Sequence, residues 1–461
     1  MVRHHRLVSI LSALLSMAGC AYHPQDNLPP TELPALELAT ATAPQLDQPL
    51  SGWWQQYQSA ELNDLMQELD LNNLELASAR ERITKARALL GQQQAVDVPA
   101  VNGQINHRTN HDVDNAITDH QNNLGFSASY EVDLWGARSA ARYGAEMNLI
   151  AQQQEYRSIL LQLQATLVQQ YFDFLALRER HELAVQNLQA SKDLLDLIQA
   201  RFDAGSASGI ELNQQRNTYL ATQATLLETR RALVTRERAL AILLGRQSIA
   251  TAELVQPFSS LAYPQIRSIQ PAALLEYRPD IQLAASQLQI SEAALYQEEM
   301  KRWPTLNLSA GLSLQDILQA SEGWTSALIT ALAMPLYDGG KISQQIKAAE
   351  SDKSLARLNY RQTVLQAMQE TLETLTELTF QQDLLSVREK ELDNNQHLYD
   401  LARLRYDAGD TDFINLLTAQ RSWFNARDSL IQTRNTRLQA TVNLFRAMGV
   451  APETEKVSES L

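Results

Sequence analysis

Between Leu124 and Leu134 the chain alternates without a slip. Leu124, Phe126, Ala128, Tyr130, Val132 and Leu134 are apolar, and Gly125, Ser127, Ser129, Glu131 and Asp133 fill the positions between them. A period of two sends every second side chain to the same side of an extended backbone, so this segment predicts a strand with one greasy and one polar face. The pattern returns as Leu306, Leu308, Ala310, Leu312 and Leu314 against Asn307, Ser309, Gly311, Ser313 and Gln315. Each strand has a weaker partner. Leu328, Leu332, Met334 and Leu336 form the greasy face of the last one, although Ile329 interrupts its alternation. Pro99 and Pro304 stand at strand starts, where a missing N–H is tolerated. Four strands result, at about 98–109, 122–135, 303–315 and 324–337, long enough to cross a bilayer when tilted.

Elsewhere the period changes to that of a helix. Residues 137–201 contain no Pro, and Gly144 is their only Gly. Ala184, Leu188, Ser191, Leu195, Ile198 and Phe202 follow one another at spacings of four and three, a coiled-coil stripe. One helix over this stretch would run about 97 Å at ~1.5 Å per residue. Residues 340–404 read the same way. After each Asp-Ala-Gly a seven-residue series begins: Leu212, Tyr219, Leu226, Leu233, Leu240, and then Leu416, Trp423, Leu430, Arg437, Leu444. In the second series Ala419, Ala426, Thr433, Ala440 and Ala447 lie between, small enough for helices to approach closely. Gly205 and Gly409 mark where a helix stops and turns, because Gly accepts the positive φ of such a cap.

These two textures occur twice. Arg201-Phe202-Asp203-Ala204-Gly205 returns 204 residues later as Arg405-Tyr406-Asp407-Ala408-Gly409. Ile210, Leu212, Leu240 and Gly245 meet Ile414, Leu416, Leu444 and Gly449 at the same offset. The period is far too long for a solenoid, so each copy is a large unit holding a helical hairpin and two strands. The expected organisation is a signal peptide at 1–19, an extended segment at 20–58, a first repeat at 59–251, a Pro-containing linker at 252–279, a second repeat at 280–449 and a tail at 450–461.

The N-terminus adds a compartment. Arg3 and Arg6 precede an apolar run from Leu7 to Leu15, and Ser16-Met17-Ala18-Gly19-Cys20 follows, a secretory signal ending in a sequence similar to the bacterial lipobox. Cys20 is then the lipid anchor, carrying covalent diacylglycerol and an N-acyl chain, and Ala21 after it fits sorting to the outer membrane. As the only Cys it forms no intrachain disulfide. The formal charge of −14 argues against nucleic acid as a partner. No run of 18 apolar residues predicts a transmembrane helix in the mature chain.

Four strands are too few to close a barrel, and an open edge in hydrocarbon leaves backbone groups without partners. If the strands lie in a membrane, several chains share one barrel, two giving eight strands and three giving twelve. The alternative is a soluble antiparallel sheet with one polar face.

The arrangement resembles the lipoprotein branch of the TolC-like outer membrane efflux factor family. Trp53-Trp54 with Tyr57, Leu62 and Leu65 is similar to the family's N-terminal segment, and Arg278-Pro279-Asp280-Ile281 to its second-half opening. Pro335-Leu336-Tyr337-Asp338-Gly339-Gly340-Lys341 and Tyr130-Glu131-Val132-Asp133-Leu134-Trp135-Gly136 resemble its two strand-to-helix junctions. The resemblance implies a homotrimer: duplicated helical hairpins form a trimeric α-barrel crossing the periplasm, and four strands per chain contribute to a twelve-stranded β-barrel in the outer membrane. It implies a passive duct of a tripartite system that exports small toxic compounds. The partners would be a periplasmic adaptor and an inner-membrane pump of RND or MFS type, with no cofactor beyond the lipid on Cys20. The exit duct of a type I protein secretion system and a structural coiled-coil lipoprotein without a pore are the competing readings.

By position, the resemblance implies a periplasmic gate at Tyr406, Ile414, Thr418 and Arg421. Ile414 would form an apolar ring and Arg421 would bond to a neighbouring helix. Thr418 stands where relatives commonly carry Asp; Asp407, Asp410 and Asp412 supply acid nearby. Ala204, Gly205, Ser206, Ala408, Gly409 and Asp410 at the hairpin tips are the expected adaptor contacts. His107, His111 and His120, with Asp112, Asp114 and Asp119, are a weak metal candidate around one inter-strand loop; a solvated loop is the plainer reading. Gly205-Ser206-Ala207-Ser208-Gly209 lacks the spacing of a hydrolase elbow, which would need Ser at 207, so no enzyme is expected.

Overall fold

A computed structural model describes Tyr22 and residues 52–112, 117–249, 254–264, 278–314 and 324–449. Cys20, the signal segment, the tail, and most of the extended segment and of the linker lie outside the described residues.

The repeat is visible element by element. Helix α1 spans Ala60–Asn72 and α2 spans Leu74–Ala95; strands β1 (Ala100–Asp112) and β2 (Ile117–Val132) follow. Then come the long helix α3 (Ala137–Asp203) and its return helix α4 (Gly209–Leu243). The second copy gives α5 (Pro279–Met300), β3 (Thr305–Leu314), β4 (Trp324–Ala333), α6 (Lys341–Asp407) and α7 (Phe413–Ala447). Helices α3 and α6 are both 67 residues long, and α4 and α7 both 35. Between these pairs the offset is 204 residues; between α2 and α5 it is 205. The single-residue difference falls at the strand-to-helix junctions. The Asp133 carboxylate accepts from the backbone N–H groups of Arg138 and Ser139 at 3.2 and 2.9 Å, four residues before α3. The Asp338 carboxylate accepts from Gly340 and Ile342 at 2.9 and 2.6 Å, three residues before α6.

The hairpin turns are built from caps. At the end of α3, Gly205 N–H donates to the Phe202 carbonyl at 2.9 Å and Ser206 N–H to the Arg201 carbonyl at 2.8 Å. At the end of α6, Gly409 donates to Tyr406 at 3.1 Å and Asp410 to Arg405 at 2.8 Å. These paired bonds satisfy helix-end carbonyls and require the left-handed residue that Gly205 (φ 76°) and Gly409 (φ 78°) provide. The return helices start on Ser208, which forms a capping box with Glu211, and on Asp412, which accepts from Asn415 N–H at 2.9 Å.

Two compact units divide the chain. The first comprises Arg80–Glu155 and Asp280–Thr363 with Tyr22, and holds one antiparallel sheet in the order β1-β2-β3-β4. The register places Val101, Ile105, Leu124, Phe126, Tyr130, Leu308, Leu312, Leu328 and Leu332 on one face. Asn102, Gln104, Asn106, Ser127, Ser129, Glu131, Asn307, Ser309 and Ser313 occupy the other. Ile329 pairs with Ser309 on the polar face, so the interruption read in the sequence is one apolar residue on the wet side and not a slip. The first hairpin is longer than expected: β1 continues to Asp112 and β2 starts at Ile117, because backbone pairing carries on through polar residues that have no alternation to betray it. The C-terminal bounds are shorter than expected. β2 stops at Val132, where Asp133 turns to cap α3, and β4 stops at Ala333, ahead of Pro335 and the Asp338 cap.

The described residues of the second unit, 52–79, 156–249, 254–264, 278–279 and 364–449, contain an extensive hydrophobic core. Trp53 packs 5.3 Å from Phe445 and Tyr57 lies 4.8 Å from Phe172 in an edge-to-face pair. The buried Tyr57 hydroxyl meets Thr441 Oγ1 at 2.6 Å. Burial holds that phenol protonated, well above its ordinary range.

Candidate functional site

At the hairpin tips, Ala204, Gly205, Ser206, Ala408, Gly409 and Asp410 are all exposed. A Cβ placed on Gly205 or Gly409 would meet no atom within 4 Å. Both turns are therefore closed by cap hydrogen bonds and open in space, a surface that another protein can reach.

Along α7 the residues expected to gate the mouth separate into two groups. Ile414, Thr418 and Arg421, spaced four and three apart, lie on one exposed stripe. Ile414 is 55% exposed. The Thr418 hydroxyl donates to the Ile414 carbonyl at 2.7 Å. Arg421 reaches to the first repeat, donating from Nη2 to Thr218 Oγ1 on α4 at 2.6 Å. Tyr406 does not join this stripe. It is buried with Ile198, Leu212, Phe413, Leu416 and Leu417, and the Arg201 guanidinium lies 4.6 Å above its ring. Of the nearby acids, Asp407, Asp410 and Asp412 are all exposed, and Asp412 also caps its helix.

The three histidines fall on the apolar-strand face near the far end of the β1–β2 hairpin. His107 and His120 stack at 5.9 Å and share Thr109, at 3.1 and 3.0 Å. His107 Nδ1 meets Asn122 at 2.7 Å and His111 Nδ1 meets Thr118 at 2.9 Å. Their ring nitrogens engage Thr and Asn, and no group of three or more metal-ligating side chains converges among the described residues.

Two features carry roles that sequence reasoning missed. Arg278, 7% exposed, donates to the Ala447 carbonyl at 2.6 Å and to Glu370 at 2.9 Å, and Arg446 holds the other Glu370 oxygen at 2.5 Å. The equivalent residue of the first repeat, Asn73, donates to the Leu243 carbonyl at 2.8 Å. Each repeat thus ties the end of its return helix to the residue before its strand-bearing helix; Gly245 and Gly449 let the chains touch there. The second feature is Tyr22, two residues after Cys20. It packs 5.5 Å from Tyr143 on α3 and 4.9 Å from Tyr296 on α5. Burial, then Glu292, pushes its phenol up to about 12. A single Tyr in an irregular segment gives no periodic signal.

Among the described residues no helix is long and apolar enough to cross a membrane. The two-faced sheet is the element suited to lipid on one side and water on the other.

Comparison with known proteins agrees. The family described as Outer membrane efflux protein matches residues 65–246 and 271–450. The chain is 31% identical to the pyoverdine export outer membrane protein OpmQ of Pseudomonas aeruginosa, over 96% of each chain. It is 24% identical to the probable outer membrane lipoprotein SilC of Salmonella typhimurium, covering 96% of this chain and 98% of that one. The solved outer-membrane channel OprN superposes with a TM-score of 0.83 at 23% identity, over 94% of this chain and 99% of that one.

Proposed function

Because this chain belongs to the outer membrane efflux protein family, we propose that three copies join their four-stranded sheets into one barrel and their helical hairpins into one duct. It is an outer membrane efflux channel component; the assembly, cargo and partners are what this reading adds. The sheet carries it. Leu328 is 80% exposed and Ile105 77% on the apolar face, the opposite face is lined by Asn, Gln and Ser, and β1 and β4 both end the sheet. In lipid such edges must be paired, and neighbouring copies pair them.

The polar face then borders a wet passage that selects by size and charge. Selection by chemical structure falls to the inner-membrane pump, and the exposed Gly205 and Gly409 turns receive the periplasmic adaptor. The likeness to the pyoverdine export protein OpmQ over nearly its whole length favours a pyoverdine-like exported compound among the cargoes, beside toxic compounds. Lipid on Cys20 anchors the N-terminus, with Tyr22 seated on α3 and α5 to hold that segment in place. Two measurements test the reading. Purified protein should run as a trimer in detergent and conduct ions in planar bilayers, and a deletion strain should become hypersensitive to drugs or retain a pyoverdine-like compound in its periplasm. A monomer without conductance would remove the duct.

A further inference from the structure

The register of the sheet sorts its charges as well as its apolar groups. On the polar face, Glu131 pairs with Asn307 at the end near the helices, and Arg108 pairs with Gln121 at the opposite end. Gln121 and Glu131 are ten residues apart on β2, about 33 Å at ~3.3 Å per residue. The polar-face rungs between them, from Ser129 to Asn123, hold only Ala, Ser, Asn, Gln, Thr, Gly and Ile329 across the four strands. In the middle, Gln104 folds across Gly125, its Cγ and Nε2 3.3 Å from where a Gly125 Cβ would stand. An amide therefore covers the backbone there without adding charge.

The two terminal charges are free. Glu131 and Arg108 are exposed, and their side chains make no hydrogen bond or ion pair among the described residues. Arg138 donates to the Glu131 backbone carbonyl, and its guanidinium lies 5.5 Å from the ring of Tyr130 on the apolar face. His107, His111 and His120 also belong to the apolar face by register. One rung beyond Arg108, Asn110 pairs with Asp119.

We propose that the membrane passage sorts solutes by charge at its two ends only, Glu131 drawing cations at the helical end and Arg108 drawing anions at the outer end. This rests on the trimeric duct reading, which turns each residue into a ring of three. Like charges around a confined column of water add their potentials. The rings are about 33 Å apart, several times the ~8 Å Debye length at physiological salt, so each acts alone. A solute of one sign meets one repulsive ring. A solute carrying both signs can turn the matching group to each, and the amide and hydroxyl rungs between exchange hydrogen bonds with it in place of water. The cargo class that fits is a polar organic compound bearing both acidic and basic groups.

The test places reporter thiols one rung inside each ring, in the full chain in outer membranes. Cys20 is the only Cys and, in this reading, carries lipid, so Asn106→Cys and Ser129→Cys can each be addressed alone. Both positions are exposed, and heat-resistant trimers report assembly of each variant. The Asp119 rung lies two rungs from Asn106, about 13 Å, beyond the ~8 Å screening length. Cells are treated from outside with an anionic or a cationic methanethiosulfonate. The ratio of anionic to cationic rate should be several-fold higher at 106 than at 129. Arg108→Gln should erase the anionic excess at 106 alone, and Glu131→Gln the cationic excess at 129 alone. Equal ratios at the two positions, or ratios that neither neutralisation moves, would overturn the proposal and leave the duct standing. Failure of both thiols to react in assembled trimers would overturn it together with the duct reading.

Discussion

Arg421 shows how a side chain takes its meaning from its partner. Its bond to Thr218 ties the return helices of the two repeats together near their tips. Arg421→Ala removes that tie, and single-channel conductance in planar bilayers should rise; an unchanged conductance would exclude Arg421 from the gate. Arg278 acts differently, because it is buried. Glu370→Ala leaves the buried Arg278 charge without its partly exposed carboxylate, a loss on the order of 1–3 kcal/mol. The helical signal in detergent should therefore melt at lower temperature in that variant. Of the residues singled out, the tip glycines were legible as turns from the repeat, whereas Ile414 and Arg421 came from the resemblance and are seen here as part of one exposed stripe. The inward turn of Tyr406 was not, because it depends on which residue of a neighbouring hairpin lies opposite, here Arg201. Arg278 was visible as a motif without a role, since its partners lie 92 and 169 residues away.

At the scale of the element, two glycines with the same backbone shape predict different outcomes. Gly409 (φ 78°) has open space around it; Gly449 (φ 70°) has Arg278 Cα 2.7 Å from where a Cβ would stand. Gly409→Ala should cost only the left-handed strain, about 1–2 kcal/mol. Gly449→Ala adds a backbone clash and should lower the yield of folded protein further, as thermal melts of the two variants would show. A bulky Gly409→Trp should abolish efflux while trimers persist, and normal drug resistance in that strain would refute adaptor contact at this turn. Asp338 adds a pH dependence. Its carboxylate is held below the usual Asp range, chiefly by the N–H groups of Ile342 and then Gly340. Its contribution to the start of α6 is therefore present above the ordinary Asp range and is lost as pH falls through its depressed value. Asp338→Asn should flatten that acid limb in a pH series of melts. Helix lengths were legible because a Pro-free heptad pattern runs from cap to cap. Strand ends were less so: hydrogen-bonded pairing in β2 continues through His120 and Gln121, whose side chains announce nothing.

For the whole molecule, the two sheet faces make opposite demands. Leu328→Arg places a charge on the lipid side, where about 2–4 kcal/mol is lost near the bilayer midplane, and heat-resistant trimers should be depleted from outer membranes. Ser309→Arg, paired opposite Ile329 on the wet side, should assemble normally and shift ion selectivity toward anions. Equal loss of trimers in both variants would remove the assignment of faces. The overall architecture was readable in advance because duplication, alternation and heptads are each periodic. What periodicity does not show is how a single irregular residue such as Tyr22 is held.

The one-residue surplus between Asp133 and α3, relative to Asp338 and α6, has a geometric consequence. The halves of the polypeptide can never be exchanged for one another, since one joins its wall segment to its strut by a longer tether. The return helix of the first repeat begins with Gly209, whereas that of the second begins with Phe413, which is buried against Ile198, Leu212 and Tyr406.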